Sequence, residues 1–327
     1  AANYSIGTTL SGKVGQITKK PITATLNNPN GTYVFTKDYD GKDTVTQALG
    51  TNYAFGSEDI VGKDEVSIDT NNSGVYTADK NVGNDKNISF SGITLTGADA
   101  ANYSIGTTLS GKVGQITPRL ITATLNKNAD GSFIFSKTYD GNTTVAQALD
   151  SNYTLSNVVQ GEEQNIKINH GEDVTGVYND DAATGAAAKN AGQNKSITFT
   201  GIALTGTGSS NYTIADSLSG DMGEIKQRAL TPTLDTSYIY TKTYDGKTNV
   251  TEPLKSYNFG EGQVVLINNV ADKVVLAANN NGVYDNENAG NNKTVTFNQL
   301  NLAGTDAGNY YLTTTSISAA VGKINQK

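Results

Sequence analysis

Three copies of Lys-x-Tyr-Asp-Gly hold the residues best suited to chemistry in this 327-residue chain. They are Lys37-Asp38-Tyr39-Asp40-Gly41, Lys137-Thr138-Tyr139-Asp140-Gly141 and Lys242-Thr243-Tyr244-Asp245-Gly246, spaced 100 and 105 residues apart. A carboxylate with neighbouring carbonyls could hold a hard cation, calcium above all, with Asp40 and Asp43 as ligands. The equivalents of Asp43 are Thr143 and Thr248, so one carboxylate recurs, which is too few for a site. A lysine beside an asparagine or aspartate could instead close an isopeptide cross-link. Lys37, Lys137 and Lys242 recur together with Asn102, Asn211 and Asn309 and with Asp40, Asp140 and Asp245. Other chemistries fail on inspection. Gly246-Lys247-Thr248 ends like a phosphate loop, but Thr241 stands where the first glycine belongs. Gly206-Thr207-Gly208 lacks a third glycine, and the acidic pairs Glu172-Asp173 and Asp180-Asp181 do not recur. His170 is the single histidine and reads as a surface-loop residue, so a Ser-His-Asp set could exist in one copy only.

Three evenly spaced copies point to scaffold before catalysis. The tyrosine follows a strand and can bury its ring while its hydroxyl finds a backbone partner. The aspartate can accept from N–H groups one or two residues on, and the glycine can take the positive φ of a tight turn. A packed, self-capped corner therefore accounts for all three residues.

Composition bounds the rest. Charged residues are 17% of the chain and hydrophobic ones 36%, so polarity comes from Asn, Thr, Ser and Gly, a strand-and-turn composition. Net charge is -7, without a basic stripe, which disfavours nucleic acid and anionic membrane surfaces. No apolar run approaches the roughly 20 residues that span a bilayer. Cysteine is absent, which excludes disulfides, thiolate metal sites and cysteine nucleophiles.

The repeat extends well beyond the Tyr-Asp-Gly string. Residues 1–18, AANYSIGTTLSGKVGQIT, recur unchanged at 100–117. Asn-Tyr pairs begin at Asn102-Tyr103, Asn211-Tyr212 and Asn309-Tyr310, and Gly-Val-Tyr stands at 74–76, 176–178 and 282–284. An apolar alternation, NISFSGITL, SITFTGIAL and TVTFNQLNL, completes the set. Self-similarity at about 100 residues signals an array of independently folding modules. The modules are read as 19–117, 118–226 and 227–327, with 1–18 as the trailing strands of a preceding repeat. The opposite frame, with 307–327 as the orphan, stays open. The Ala/Gly-rich stretch from Asp181 to Lys189 reads as a surface insertion.

Period-two alternation in Ile22–Leu26, Tyr33–Thr36 and the Ile88, Phe90, Ile93, Leu95 set predicts six or seven short strands per module. Tyr4, Ile6 and Leu10, repeated as Tyr103, Ile105 and Leu109, give a further inward set. The expected fold is all-β, a tandem array of three immunoglobulin-like β-sandwich modules forming an elongated rod. Joints of two residues, Lys19-Lys20, Pro118-Arg119 and Gln227-Arg228, leave little room for bending. A helix after each Tyr-Asp-Gly, such as Thr144 to Leu149, would shift the description to β-grasp-like α+β modules.

This ordered set resembles the YDG/MBG-type repeat modules of large bacterial surface adhesins, filamentous-haemagglutinin-like exoproteins exported by two-partner secretion. The resemblance covers all three modules. It implies an extracellular, cell-surface stalk that projects a binding domain and supports adhesion or biofilm formation, with no catalytic residues to transfer; no cofactor is expected, with calcium as the alternative. Host or matrix glycans or proteins would be engaged by other parts of the full-length protein, and this segment would be a monomer. The alternative is that the modules themselves bind carbohydrate, although Trp, the usual sugar-stacking residue, is absent.

Overall fold

A computed structural model of the chain describes residues 3–28, 31–69, 72–169, 174–180, 187–277 and 282–327. His170, Glu172-Asp173 and residues 181–186 of the Ala/Gly-rich stretch lie outside the described residues. The chain divides into two compact units. One comprises Ala1–Ile121, Asn157–Lys167 and Leu204–Thr213, the other Thr122–Ser156, Ile168–Ala203 and Ile214–Lys327. Three segments of the second sequence module, 118–121, Asn157–Lys167 and Leu204–Thr213, thus belong to the first unit.

Every module repeats one four-stranded sheet. In the first, β1 (Phe35–Asp38), β2 (Gly74–Tyr76), β3 (Gly83–Ser91) and β4 (Thr108–Thr117) lie in the order β1-β4-β3-β2. β4 pairs antiparallel with β3 and parallel with β1, so the edge strand runs with the last strand of its module. The second module builds the same sheet from β5 (Phe135–Thr138), β6 (Thr175–Tyr178), β7 (Gly192–Thr200) and β8 (Ser217–Lys226). The third uses β9 (Tyr240–Thr243), β10 (Gly282–Tyr284), β11 (Gly290–Asn298) and β12 (Ser316–Asn325). Short ladders complete each module, in the first Ala24–Leu26 with Tyr53–Phe55 and Ser67–Ile68 with Leu95–Thr96. The fold is all-β, with three sheets matching three tandem modules.

The alternation read from sequence decides which faces are inside. Ile88 and Phe90 of β3 are fully buried, as are Phe35 of β1 and Ile116 of β4. Phe35 and Phe90 stack at 5.3 Å between ring centroids, tilted by 56°, a geometry favoured beyond simple area burial. Phe135 with Phe199 and Tyr240 with Phe297 repeat the pair at 5.1 Å. The Gly-Val-Tyr landmark serves the same core. A Cβ on Gly74 would lie 2.8 Å from the Phe90 ring, and Tyr76 donates its hydroxyl to the Phe35 carbonyl at 3.2 Å. Among the described residues no helix is long and apolar enough to cross a membrane.

Two expectations are corrected. No α-helix follows Tyr-Asp-Gly: Thr144 forms a bridge with Val177, and the Val145 N–H donates to the Gly176 carbonyl at 2.9 Å. Val145 and Leu149 are buried, so their i, i+4 spacing suited a helix equally well, but pairing with β6 claims the backbone. The β-grasp description therefore falls away. Tyr4, Ile6 and Leu10 face solvent at 91%, 94% and 103% exposure, while Tyr103 and Leu109 of the identical stretch are 3% and 6% exposed. Residues 3–18 form no strand; 100–117 do because β1 and β3 flank β4.

Phe90→Ala removes a fully buried ring from the core, and we expect it to cost about 3–5 kcal/mol in denaturant unfolding of the first module. A loss under about 1 kcal/mol would mean that the β1–β3 ring pair does not anchor the core.

Candidate functional site

The sequence-predicted residues assemble into two structures that share the Tyr-Asp-Gly corner. The first is an internal clamp. Alternation along β1 turns Lys37 to the same side as Phe35 and Tyr39, and its side chain is only 5% exposed. The ammonium donates to Asp40 Oδ1 at 2.7 Å, to the Lys42 carbonyl at 2.7 Å and to the Thr44 carbonyl at 2.9 Å, 5.3 Å from the centre of the Tyr76 ring. Lys137 and Lys242 repeat the arrangement with Asp140 at 2.8 Å and Asp245 at 2.7 Å. Asp40 also accepts from the Lys42 N–H at 2.9 Å, and Asp245 from that of Lys247 at 3.0 Å, so the predicted self-capping is present. The ammonium of Lys242 holds the Asp245 carboxyl below its ordinary range. Asn102 is exposed, and the lysines bond aspartates and loop oxygens, not the repeated Asn102, Asn211 or Asn309. Among the described residues no three acidic or histidine side chains converge on a metal-sized site.

The second structure corrects the expectation that the tyrosine finds a backbone partner. Tyr39, 1% exposed, donates to Glu162 Oε1 at 2.7 Å, a residue of the following module. Tyr212 donates to the other oxygen, Glu162 Oε2, at 2.7 Å and accepts from the Val159 N–H at 3.1 Å. The two rings meet edge to face, 5.4 Å apart at 80°. One carboxylate thus receives the tyrosine of one module and the Asn-Tyr tyrosine of the next. The second seam repeats this: Tyr139 and Tyr310 both donate to Asp272 Oδ2, at 2.8 and 2.6 Å, and Val265 N–H donates to Tyr310 at 2.9 Å. Both seams lie wholly inside one compact unit each, the first in the first unit and the second in the second.

The remaining motif residues serve the same seams. Gly41 and Gly141 have φ of +73° and +78°, and a Cβ there would lie 2.8 Å from Val159 and 2.5 Å from Ile267 respectively. Glycine is therefore fixed twice over, by backbone conformation and by a close neighbour. Asn211, 3% exposed, accepts from the Val82 N–H and donates to Asn81 Oδ1, both at 2.9 Å. Asn309 does the same with Ala191 at 2.8 Å and Asn190 at 3.3 Å. Joint residues Arg119 and Arg228 reach back to the carbonyls of Tyr39 and Tyr139 at 3.5 and 3.4 Å. The third copy breaks the expectation of burial, since Tyr244 is 42% exposed.

Glu162 and Asp272 are the functional residues that sequence reasoning missed. The acid differs in type, and it follows its valine by three residues at Val159 but by seven at Val265, where the strands Leu266–Ile267 and Val270–Ala271 intervene. A Val-x-x-acid spacing shared by Val61-Asp64 and Val159-Glu162 was the available signal.

An all-β array whose modules are joined through their recurring motif defines a tandem-repeat protein. The YDG domain model matches residues 18–111, 121–219 and 226–317, and the chain belongs to the YDG domain family. No curated protein and no solved structure matches the chain.

Burial and the Glu162 bond push the Tyr212 phenol up to about 12. Burial and the same carboxylate raise Tyr39, and burial with Asp272 raises Tyr139 and Tyr310. A raised folded value means that the seam's contribution is whole below the ordinary tyrosine value of about 10 and is lost as pH climbs through the folded values. Absorbance titration at the tyrosinate band should therefore show late-ionising tyrosines, fewer in Tyr39→Phe, with unfolding following their ionisation. A Tyr39→Phe curve identical to wild type would refute the assignment.

Gly141→Ala and Gly246→Ala carry similar backbone strain, as φ is +78° and +69°, but only Gly141 faces a close neighbour. We expect Gly141→Ala to be the more destabilising by about 1–3 kcal/mol, with hydrogen exchange accelerated at residues 262–272. Equal effects would separate the glycine from the seam.

Proposed function

We propose that the chain is a stretch of the extracellular stalk of a bacterial surface adhesin, holding a binding domain away from the cell and supporting adhesion or biofilm formation. The observation that carries this reading is the seam itself, in which the signature residues of one module are spent on gripping the next. A motif devoted to joining modules suits a protein whose task is to carry load along its length. A two-residue joint and a shared carboxylate leave each pair of modules little freedom to hinge, which suits a spacer more than a set of tethered beads. The role is mechanical, without catalysis and without a resident cofactor, and ligands are met by other parts of the longer protein. Within each module we read the four-stranded sheet and the short ladders as the two layers of an immunoglobulin-like sandwich.

Small-angle scattering at low concentration tests the stalk. A compact particle of this length would have a radius of gyration of about 20 Å. An elongated array should exceed that clearly, with a pair-distance distribution skewed to long separations. A value near 20 Å would end the stalk reading.

A further inference from the structure

Chain direction decides how a module meets tension. Load passing along an array enters a module at its first strand and leaves through the joint after its last. In the first module the entry strand, Lys20–Pro21, pairs parallel with Tyr103–Ser104, and the Ile22 N–H extends this outer ladder to the Ser104 carbonyl at 2.9 Å. Behind it lies an inner ladder. β1 pairs parallel with the end of β4, from Phe35 with Gly114 to Asp38 with Thr117, the residue before the joint. The Tyr39 N–H adds a last bond to the Thr117 carbonyl at 2.9 Å, so the Tyr-Asp-Gly corner closes the end of this ladder.

Both ladders recur. Arg119–Leu120 lies parallel to Tyr212–Thr213, and Arg228–Leu230 to Tyr310–Leu312. β5 with β8 and β9 with β12 each repeat the four register pairs of the inner ladder. Tyr139 and Tyr244 again supply the closing N–H, to the Lys226 and Asn325 carbonyls at 2.8 and 2.9 Å. The inner ladder is also set into the core, since Phe35 and Ile116 are fully buried and the Tyr76 hydroxyl rests on the Phe35 carbonyl. The other pairs of the sheet, β4 with β3 and β3 with β2, are antiparallel.

We propose that these two parallel ladders make each module a tension-bearing device that yields in two stages. In a parallel pair the chain enters one strand at one end and leaves the other strand at the opposite end. A pull therefore runs along both strands, and every bond of the ladder shares the load. In an antiparallel hairpin the two ends leave together, and the bonds open one at a time. The outer ladder is the shorter, with two or three register pairs, and gives way first. In the first module its failure frees residues 22–34, whose extended span is at most about 45 Å. Load then falls on the four pairs of the inner ladder, and only their failure releases the sheet. A module that lengthens by a limited amount before its core is threatened suits a tether under fluctuating pull. The proposal rests on the stalk reading for the source of that pull, but the resistance of the ladders does not.

Single-molecule force spectroscopy of the full chain decides the matter. The chain has no cysteine, so introduced pairs can take the handles. Lys19→Cys with Pro118→Cys loads both ladders of the first module along their strands. Asp43→Cys with Pro118→Cys pulls the C-terminal ends of β1 and β4 apart and opens the inner ladder from Thr117. All three positions are exposed, and unchanged denaturant unfolding confirms that both chains fold. The first pair should need about two- to fourfold more force, because four register pairs share the load in one direction and bear it singly in the other. Its extension should come in two steps, the earlier at most about 45 Å and the later, from residues 35–117, at most about 300 Å. Equal forces in the two directions, or a single step along the strands, would overturn the proposal. An elongated particle in scattering with equal forces would keep the stalk and remove the ladders' role; a compact particle with unequal forces would do the reverse.

Discussion

One carboxylate between two buried phenols is the interaction on which the array depends. Glu162 receives Tyr39 on one oxygen and Tyr212 on the other, and Asp272 receives Tyr139 and Tyr310. An acid carried into such a place unpaired would be costly, and so would a buried hydroxyl without an acceptor. Each seam therefore makes one module's tyrosine depend on the next module. Tyr39 finds its acceptor only in the next module's acid, whereas that acid also holds its own module's Tyr212 and lies 3.9 Å from the Lys80 ammonium. Edge-to-face contact of the two rings adds apolar burial around the polar bonds, which excludes water and strengthens them. The lysine clamp stands outside this dependence. It presents the tyrosine in a fixed direction whether or not a partner is present, as the intact Lys242–Asp245 pair beside exposed Tyr244 shows.

Residues 1–18 and 100–117 share one sequence and differ in everything else. Tyr103, Leu109, Val113 and Ile116 are buried, while Tyr4, Leu10, Val14 and Ile17 are exposed. Local propensity is the same in both, so the strand conformation of 108–117 is imposed by its neighbours, β3 on one side and β1 on the other. The central strand of each sheet is thus the last in its module to be reached along the chain, and the sheet closes only when it arrives. High sequence separation between paired strands makes such a module a slow folder relative to a helical one of equal size.

The alternation of Ile88 and Phe90, the Gly-Val-Tyr strands and the turn chemistry of Asp-Gly were legible because each depends on a period or on a single residue's conformational range. The all-β class and the three modules follow from them. What escaped was whatever depends on contact between residues far apart in sequence. Val145 and Leu149 fitted a helix by spacing, and only the backbone bonds to β6 reveal an extended edge. The tyrosine's hydroxyl was assigned to its own corner because the acid that accepts it is 123 or 133 residues on, changes type, and keeps no fixed distance from its valine. The Tyr-Asp-Gly string was read as a self-contained corner, but its tyrosine bonds an acid in another module.

That division also explains why contacts and sequence draw different borders. By sequence, Asn157–Lys167 and Leu204–Thr213 belong to the second module; by contact they belong with the first. These segments carry Val159, Glu162, Asn211 and Tyr212, which meet the first module at the first seam. A module in this array is therefore incompletely described by its own strands, because part of what buries its last corner is contributed by its successor. Stability in such an array is the sum of a module's own packing and a nearest-neighbour term. The neighbour term is large here, since it includes a buried tyrosine, an asparagine capping a loop N–H, and a valine seated on a glycine. Opening the first seam takes the Glu162 acceptor from Tyr39, while Tyr212 keeps its own acid as Tyr103 keeps Asp64.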